Sequence, residues 1–453
     1  MSNPGEADDT PITSVRQLVE YLAGGCKPRA EWRIGTEHEK FGFALSDLHP
    51  PPYAPDGIRA MLEGIAAEGW EEIPDAGNPI GLKGHGRHAG ASVSLEPGGQ
   101  FELSGAPLAD LRATQAELQD HFAATRRAAA PLGLGFAPLG FHPLATRDAM
   151  PWMPKSRYAI MRRYMPHVGS MGLDMMLRTC TVQVNLDYAS EADMAQKLRV
   201  ALALQPVATA LFANSPFREG RPSGFQSLRA HIWSDVDNQR SGMPALFFEP
   251  GFSFERHVEW LLDMPMYFVL RDGRYVDLAG RSFRDFIAGR IPEAGVATVG
   301  DFADHVTTAF TDVRVKRFLE MRGADAGSPA MMLALGAFWV GILYNDAALA
   351  AADALVRRHP WSAYPILRER VPREGLDTPL APGTLRDLAR DAVAIAADGL
   401  RARHAAGFSD ETGFLDPLAA IAAGAPTQAE HALRQFHGPW NGNAGIALRC
   451  GAV

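Results

Sequence analysis

Hydrophobic and polar positions alternate over residues 33–43, which predicts a β-strand near the start of the chain. Gly35, Glu37, Glu39 and Phe41 would share one face of this strand. Two carboxylates on one face repel each other unless a cation lies between them, and a hard divalent ion such as Mg²⁺ takes oxygen ligands of this kind. The alternative is a solvated edge strand of mixed charge, since charged residues are mostly exposed.

A second pair of predicted strands carries two further glutamates. Residues 92–96 and 100–103 flank a Pro-Gly-Gly turn at 97–99, an arrangement typical of a β-hairpin. Glu102 lies within the second arm, whereas Glu96 ends the first arm, where the turn could move it off the shared face. The hairpin therefore adds one strong and one weaker candidate to the acids of the first strand.

Residues 181–186 alternate between apolar and neutral polar side chains, so that Gln183 and Asn185 share a face with Thr181. A row of such hydrogen-bonding groups suits a site that binds a polar small molecule. An ordinary antiparallel sheet with one face in water would show the same pattern. The two interpretations are equally well supported by this segment alone.

Residues 313–322 predict one more strand, with Arg314, Glu320 and Arg322 on a common face. A glutamate and an arginine two positions apart fit a metal ligand beside a clamp for phosphate or carboxylate, because a guanidinium group binds two oxygens at once. The alternative is a surface ion pair of little energetic value. Arg229, in a polar and aromatic stretch, is a further candidate for such a clamp.

Apolar residues recur every three to four positions in the other long segments, which predicts amphipathic helices. The pattern is largely helical from about residue 328 to about residue 437. We predict a single catalytic domain over residues 1–453, with a flexible N-terminus at about 1–12 and a loose, Gly-rich tail at about 438–453.

Composition narrows the class of protein. The net charge of −8 argues against nucleic acid or an acidic membrane surface as a partner. The three cysteines are too few for a disulfide scaffold and fit a reducing compartment. Residues 1–10 are polar and acidic and do not resemble a signal peptide, and no run of about eighteen apolar residues is present. We therefore predict a cytoplasmic protein without a membrane span.

Glutamates on strand faces, beside arginines and neutral polar groups, are the residues expected for phosphoryl transfer from ATP. In that chemistry the protein positions the substrates while metal ions neutralise charge. The sequence contains no GxxxxGK[ST] loop, no GxGxxG after a strand and no set of protein-kinase motifs. The nucleotide would then lie on an antiparallel sheet, with its phosphates reached through metal ions.

Several longer motifs resemble glutamate–cysteine ligase of the plant and proteobacterial type. The similarity runs from about Leu18 to about Trp440. The motifs are RIGTEHEKFGF at 33–43, SLEPGGQFELSGAP at 94–107, LDMMLRTCTVQVN at 173–185 and LEMRGAD at 319–325, with shorter matches NSPF at 214–217 and AFWVG at 337–341. Motifs of this length are far more specific than an isolated Glu-x-Glu pair.

The resemblance implies an α+β fold of the glutamine-synthetase/guanido-kinase type, with a curved antiparallel β-sheet funnel lined by Mg²⁺-binding glutamates and helices packed outside. It also implies a reaction. ATP phosphorylates the γ-carboxylate of L-glutamate, and the amine of L-cysteine attacks the γ-glutamyl phosphate, giving γ-glutamylcysteine, ADP and phosphate in the first step of glutathione biosynthesis. The chemistry agrees, because an amine cannot attack a carboxylate until one oxygen becomes a good leaving group.

On this basis each candidate residue has a predicted role. The roles are Mg²⁺ ligation by Glu37, Glu39, Glu102, Glu320 and, more weakly, Glu96; catalysis by Arg322 at phosphate and by Arg178 at a substrate carboxylate; substrate binding by Arg229, Gln183 and Asn185; and contact with the ATP phosphates by Lys83.

The resemblance also bears on regulation and location. Plant members are regulated by intramolecular disulfides, and Gln115 and Met332 align with one such pair. Neither residue is cysteine, which implies that thiol–disulfide activation and a redox-controlled dimer are lacking; a monomer and a homodimer both stay open. The sequence has no recognisable chloroplast transit segment, which predicts a bacterial cytoplasmic enzyme acting on small molecules.

Three alternatives stay open. Another ATP-dependent carboxylate–amine ligase on the same scaffold would carry the same glutamates with a different acceptor amine, because a fold does not fix a substrate. A regulatory protein that binds glutamate or nucleotide would be expected to lack some of these acids. A guanidino-kinase-like phosphotransferase should carry a reactive cysteine, and Cys180, between polar strand positions, is a poor candidate.

Overall fold

The structure, a computed structural model, describes residues 8–453. Residues 1–7, the larger part of the predicted flexible N-terminus, lie outside the described residues, and Ile12 is held by a hydrogen bond from its backbone N to Ala297 O (2.9 Å). The strands are β1 (Ile34–Ala44), β2 (Trp70–Asp75), β3 (Asn78–Gly84), β4 (Ser92–Leu95), β5 (Phe101–Ser104), β6 (Leu134–Ala137), β7 (Thr181–Leu186), β8 (Phe217–Arg218), β9 (Arg221–Pro222), β10 (Ser241–Gly242), β11 (Phe268–Arg271), β12 (Arg274–Asp277), β13 (Phe310–Thr311), β14 (Val313–Val315), β15 (Leu319–Asp325), β16 (Pro379–Leu380) and β17 (Gly383–Thr384).

The helices are α1 (Val15–Ala23), α2 (Ile58–Ala66), α3 (Leu111–Ala129), α4 (Ser156–Val168), α5 (Gly172–Arg178), α6 (Glu191–Leu211), α7 (Leu228–Ile232), α8 (Phe254–Asp263), α9 (Phe283–Ile287), α10 (Val299–Thr307), α11 (Pro329–Leu343), α12 (Asp346–Val356), α13 (Ala363–Glu374), α14 (Leu385–Ala405), α15 (Asp416–Ala422), α16 (Gln428–His437) and α17 (Ile446–Cys450).

One nine-stranded sheet forms the centre of the protein. Its strands follow the order β14-β15-β7-β1-β5-β4-β3-β2, and β6 pairs with the far end of β1. All of these pairings are antiparallel. Strand β1 is central and buried along almost its whole length, which excludes the alternative of a solvated edge strand. The predicted α+β class with an antiparallel sheet is confirmed.

Long apolar helices cover the apolar face of this sheet. Helices α6 and α11 are buried over most of their length and join Val184 and Leu186 of β7 in the main hydrophobic core. Helix α14 crosses α11 at Gly341 and Gly399, where a Cβ on Gly399 would lie 1.8 Å from Gly341 O. The crossing therefore requires glycine, because any side chain would force the two helix backbones apart.

The segment 313–322 differs from its prediction. Instead of one strand it forms a hairpin, in which β14 and β15 pair so that Arg314 lies opposite Glu320. Lys316 N donates to Phe318 O (2.8 Å) across the turn. The prediction of a single strand is wrong, because side-chain alternation alone does not show where the chain reverses. The hairpin nevertheless keeps Arg314 and Glu320 on one face, since directly paired residues point to the same side.

The C-terminal segment 438–453 also differs from its prediction as a loose tail. Helix α17 buries Leu448 against Phe43 of β1. Val453 N donates to Phe136 O in β6 (2.9 Å). The apolar residues of this segment are too few to show a periodic pattern, but they are sufficient to pack on the end of the sheet.

Within residues 8–453, no single helix is long and apolar enough to cross a bilayer. Helices α11 and α12 together meet the criteria of length and composition, but they are bent by 92° relative to each other.

Candidate active site

The antiparallel register brings the predicted acids of two strands onto one face of the sheet. Glu39 of β1 pairs with Glu102 of β5, and Glu37 pairs with Gln183 of β7. Directly paired residues point to the same side of a sheet. Asn185, which follows Gln183 by two positions, donates through Nδ2 to Glu37 Oε1 (2.8 Å). These five side chains define the surface that we call the acid face.

Glu37 and Glu39 are almost completely buried, each with 7% of its surface exposed. Burial raises the pKa of Glu39 to about 8, and the charges of Glu96 and Glu102 act in the same direction. Burial also raises the pKa of Glu37, with the charges of Glu320 and Glu102 adding to the effect. Both shifts express the cost of concentrating negative charge away from water. A nearby cation would offset that cost.

Two hydroxyl groups orient Glu102. Ser104 Oγ donates to Glu102 Oε1 (2.7 Å), and Ser94 Oγ of the neighbouring strand donates to Oε2 (3.1 Å). Glu102 is fully buried, so these contacts supply part of the hydrogen bonding that water would otherwise provide. The carboxylate is thereby fixed toward the centre of the acid face.

A tight turn after β4 brings Glu96 to the same place. Gly99 N donates to Glu96 O (2.9 Å), and Gly99 has φ +84°. A Cβ on Gly98 would lie 2.3 Å from Leu177 O, so the turn packs closely against the end of α5. Glu96 consequently lines the same cleft as Glu39. The expectation that the turn would move Glu96 off the face is not met.

Three cations surround Glu320, which lies opposite Asn185 and is fully buried. Its Oε1 accepts from Arg314 Nη2 (2.6 Å) and from Arg322, and its Oε2 accepts from Lys316 Nζ (2.7 Å). Burial alone would raise the pKa of Glu320, but these cations hold it well below its usual range. Both oxygens already have cationic partners. In this conformation Glu320 is better suited to anchoring Arg322 than to ligating a metal ion.

A cleft lies over the acid face at Glu39 and Gln183, with cationic and aromatic side chains on its wall. Arg229 and Trp233 come from the segment around α7, and Arg322 comes from β15. Arg229 is 3% exposed, its Nη2 donates to Arg322 O (2.9 Å), and its Nε has no hydrogen-bond partner in the described part of the chain. Arg322 Nη1 donates to Gln183 Oε1 (2.8 Å). The cleft therefore sets guanidinium groups beside carboxylates.

A second cavity shares Arg229, Trp233 and Arg322 with the first. Its other wall carries Arg368, whose Nε donates to Asp312 Oδ2 (2.7 Å). The two cavities therefore have the arginines of this common wall between them.

Arg178, predicted to act at a substrate carboxylate, does not line the cleft. Its side chain is 1% exposed and donates to Asp174 Oδ1 (2.8 Å), to Glu219 Oε1 (2.8 Å) and to Ala145 O (3.1 Å). These contacts tie the end of α5 to two neighbouring loops. They favour a part in the fold, and the role at a substrate carboxylate stays a prediction.

Lys83 lies on the same side of the sheet as the acids but at its rim. Lys83 pairs with Ser92 of β4, and Ser92 pairs with Ser104 of β5. Ser104 in turn pairs with Glu37 of β1, so all four side chains point to the same side of the sheet. Its side chain is exposed. The contact with ATP phosphates predicted for Lys83 stays a prediction.

Two residues near the acids were missed by the sequence analysis. Trp233 forms part of the cleft wall, and Lys155, immediately before α4, is 3% exposed. Burial lowers the pKa of Lys155 to about 7; Arg157 acts in the same direction, and Glu96 and Glu102 oppose it. Both residues lie in irregular segments, where no periodicity indicates which way a side chain points. Only the motif similarity could have drawn attention to them.

The acid face fits a divalent cation by its donor chemistry. Carboxylate oxygens are the ligands that Mg²⁺ prefers, and the raised pKa values of Glu37 and Glu39 indicate unbalanced negative charge between them. Among residues 8–453, no three His, Cys, Asp or Glu side chains stand close enough to hold one ion by themselves. Mg²⁺ is usually held by one or two carboxylates together with water and substrate phosphates, which this arrangement permits.

An antiparallel sheet that carries buried carboxylates beside arginines fits the class of ATP-dependent ligases, and comparison with known proteins identifies the family. The family model for glutamate–cysteine ligase family 2 matches residues 33–448. The chain is 49% identical to the chloroplastic glutamate–cysteine ligase of Medicago truncatula over 433 residues, covering 95% of this chain and 83% of that protein. It is 51% identical to the chloroplastic enzyme of Nicotiana tabacum over 435 residues, covering 95% and 81%. The chain belongs to glutamate–cysteine ligase family 2, and the predicted resemblance is confirmed.

A solved structure supports the fold. The crystal structure of glutamate–cysteine ligase from Francisella tularensis in complex with AMP superposes with a TM-score of 0.55 at 12% identity, covering 93% of this chain and 87% of that chain. At this level of identity the similarity concerns the fold alone.

The predicted cytoplasmic location requires correction. The Medicago and Nicotiana relatives are both named chloroplastic, which points to the plastid for this group and contradicts the prediction. The prediction was based on the low cysteine count and on the lack of a recognisable signal peptide, apolar span or transit segment. A low cysteine count indicates a reducing compartment but does not distinguish the cytoplasm from a reducing organelle.

Proposed function

We propose that this protein ligates the γ-carboxylate of L-glutamate to the amine of L-cysteine at the expense of ATP, giving γ-glutamylcysteine, ADP and phosphate. Membership of glutamate–cysteine ligase family 2 supports this reaction. So does the chemistry of the cleft, in which carboxylates suited to a metal ion stand beside guanidinium groups suited to anionic substrates.

The observation that carries the proposal is the burial of Glu37, Glu39 and Glu102 on one face of the sheet. Of these three, Glu39 lines a cleft that also contains Arg229 and Arg322. Buried carboxylates without a structural role are costly. Their joint presence is explained by a reaction in which cations and phosphates must be held together.

In this proposal one or two of Glu37, Glu39, Glu96 and Glu102 would bind each Mg²⁺ ion, together with water and the substrate phosphates. When bound, Mg²⁺ neutralises charge on the ATP phosphates and makes the phosphoryl group easier to transfer. Glu320 is assigned a different part, because its two oxygens are taken up by cations.

Arg322 and Arg229 would bind the anionic groups of the substrates. Arg322 is oriented by its contacts with Glu320 and with Gln183 Oε1 (2.8 Å), so its guanidinium group meets an incoming phosphate with little reorganisation. Arg229, with a buried and unpaired Nε, would hold a substrate carboxylate. Gln183 and Asn185 would contribute hydrogen bonds to glutamate or nucleotide.

Two bond exchanges complete the reaction. A glutamate γ-carboxylate oxygen attacks the γ-phosphorus of ATP, the bond to the ADP oxygen breaks, and γ-glutamyl phosphate forms. The cysteine nitrogen then attacks the acyl carbon, phosphate leaves, and the amine loses a proton. The enclosed cleft protects the acyl phosphate from water between the two steps.

The test is to incubate the purified protein with Mg²⁺, ATP and L-glutamate, with and without L-cysteine. ADP release and the mass of the product are measured. We expect ADP release to depend on cysteine, with γ-glutamylcysteine as the product. Glu39→Gln should abolish turnover, whereas Glu72→Gln, which changes an exposed carboxylate of β2, should not.

Three other outcomes would change the proposal. Glutamate-dependent turnover that prefers a different amine would move the protein to another carboxylate–amine ligase on the same scaffold. ATP binding without turnover for any amine would favour the regulatory alternative. Full activity of Glu39→Gln would contradict the assignment of the acid face.

A further inference from the structure

A buried lysine, Lys155, lies close enough to the acids for the charges of Glu96 and Glu102 to act on it. Lys155 is 3% exposed, and its Nζ has no hydrogen-bond partner among residues 8–453. Its Nζ lies 5.7 Å from the centre of the Tyr158 ring, near the outer limit of a cation–π contact. Removing an ammonium group from water is unfavourable unless acceptors replace the water. The position therefore favours an acceptor that arrives with a bound molecule.

The chain around Lys155 is anchored to the sheet. Lys155 immediately precedes α4, and the Tyr158 hydroxyl in the first turn donates to Leu95 O at the end of β4 (2.6 Å). Ser156 N and Oγ both donate to the carboxylate of Asp75 at the end of β2 (2.6 and 2.7 Å). Two strands thus fix the start of the helix. The backbone that carries Lys155 is therefore held in place beside the sheet.

The charged groups around Lys155 indicate the kind of molecule that fits. The charges of Glu96 and Glu102 act on Lys155, yet their oxygens are not within hydrogen-bonding distance of its Nζ. The positive charge of Arg157 also acts on Lys155 and lowers its pKa. A bound group between Lys155 and the carboxylates of Glu96 and Glu102 must meet two conditions. It must present anionic oxygens to the ammonium group, and a cation must link it to the carboxylates. A metal-bound phosphoryl group meets both conditions.

We propose that Lys155 is a catalytic residue that binds the phosphoryl group passing from ATP to glutamate. The proposal rests on the function proposed above, because it assigns one more residue to the same reaction. The ammonium donates hydrogen bonds to non-bridging oxygens of the γ-phosphate and remains bound to them while the bond to ADP breaks and the bond to the γ-carboxylate forms. Lys155 keeps its proton throughout, so its part is to stabilise charge.

The experiment compares Lys155→Met with Lys155→Arg and with Arg163→Met. Methionine keeps the length of the side chain without the charge, and arginine keeps the charge. Arg163 is an exposed cation of the same helix that pairs with Asp277 (2.6 Å), so it is the matched control. Dissociation constants for ATP and for AMP are measured with Mg²⁺ present, and then kcat and KM are measured for each substrate.

For Lys155→Met we expect ATP binding to weaken by about tenfold or more while AMP binding stays unchanged, because AMP has no γ-phosphate. We expect kcat to fall by about 100-fold, the usual effect of removing one preorganised donor. Lys155→Arg should recover part of both losses, and Arg163→Met should match the wild type. The melting temperature of Lys155→Met should not fall, since an unpaired buried charge is removed.

Three results would overturn the proposal. An unchanged ratio of ATP to AMP affinity with a higher KM for glutamate or cysteine would assign Lys155 to a substrate carboxylate. A lower melting temperature with unchanged affinities and kcat would assign it to the fold. Wild-type values throughout would remove it from the site. If Lys155→Met fails to fold, Lys155→Gln is used in the same comparison.

The two proposals can fail separately. If the wild type ligates no amine but binds ATP, the proposed function fails, and the ATP-to-AMP affinity ratio of the variants still tests Lys155. If the wild type makes γ-glutamylcysteine and Lys155→Met does so equally well, only the assignment of Lys155 fails.

Discussion

Glu117 of α3 is expected to make the stability of this protein depend on pH. The carboxyl group lies against the backbone that follows β5, where Ala106 N donates to its Oε1 (2.8 Å) and a Cβ on Gly105 would lie 2.3 Å from its Oε2. Burial raises the pKa of Glu117 from an ordinary value of 4.5 to about 7, although the Ala106 hydrogen bond acts against the shift. The cavity beside it also contains Glu68 and His88.

The sign of the effect follows from linkage between protonation and folding. Below about pH 4.5 Glu117 is protonated in both the folded and the unfolded chain, so it has no effect on the difference between them. Between about pH 4.5 and pH 7 the unfolded chain loses the proton while the folded chain keeps it, and folding becomes progressively less favourable. Above about pH 7 the loss is constant.

The magnitude follows from the two pKa values. At about 1.4 kcal/mol for each pKa unit, the shift corresponds to about 3 kcal/mol, and partial exposure of the side chain reduces this to about 2 kcal/mol. Glu117→Gln keeps an oxygen acceptor for Ala106 N and removes the titration. We therefore expect the free energy of unfolding of Glu117→Gln, relative to wild type, to rise by about 2 kcal/mol between pH 5 and pH 8.

Urea unfolding of both proteins at pH 5, 6, 7 and 8 measures this difference, and any pH-independent effect of the substitution cancels. Asp120→Asn, which removes an exposed carboxylate from the same helix, is the control. A difference between Glu117→Gln and wild type that stays constant within about 0.5 kcal/mol across this range would refute the reasoning.

Three further predictions follow from the packing. Arg178→Met should lower the free energy of unfolding by about 3 kcal/mol, because Asp174 loses a buried cationic partner. The KM values, measured at low temperature, should stay near those of the wild type. A raised KM with unchanged thermal stability would instead support the substrate-binding role of Arg178. In the native protein Cys450 should react fastest with a thiol reagent because it is exposed, whereas the fully buried Cys180 should react only after unfolding. A fast phase of thiol modification that persists in Cys450→Ser would contradict this prediction. Removing residues 441–453 should lower the melting temperature because Leu448 is buried, whereas a loose tail could be removed without effect.

Local pattern predicted which side chains share a face but not which strands are neighbours. Alternation in 33–43 predicted that Glu37 and Glu39 share one face of a strand, and alternation in 181–186 predicted the same for Gln183 and Asn185. Both predictions agree with the strand register in the structure. The same alternation in 313–322 missed a chain reversal. The period of two is a property of an extended backbone, so it reports orientation and carries no information on pairing.

The roles of individual charged side chains depended on residues far away in the chain. Arg178 was an attractive substrate ligand by its place in a motif, yet it is bound to Glu219 and Ala145. Glu320 was grouped with the metal ligands, yet three cations surround it. Whether an ionisable group is available for chemistry depends on its partners and its burial, and both are set by packing.

The sequence by itself determined the family, the antiparallel sheet and the glutamates of its central strand, because long motifs and local periodicity are written directly in the residue order. Only the tertiary structure decided that β1 is central and that Arg178 and Glu320 pair with other charges. It also decided that Lys155 is buried near the acids with no hydrogen-bond partner for its Nζ in the described part of the chain. These features arise from contacts between segments distant in sequence, which bring some charges together and leave others unpaired.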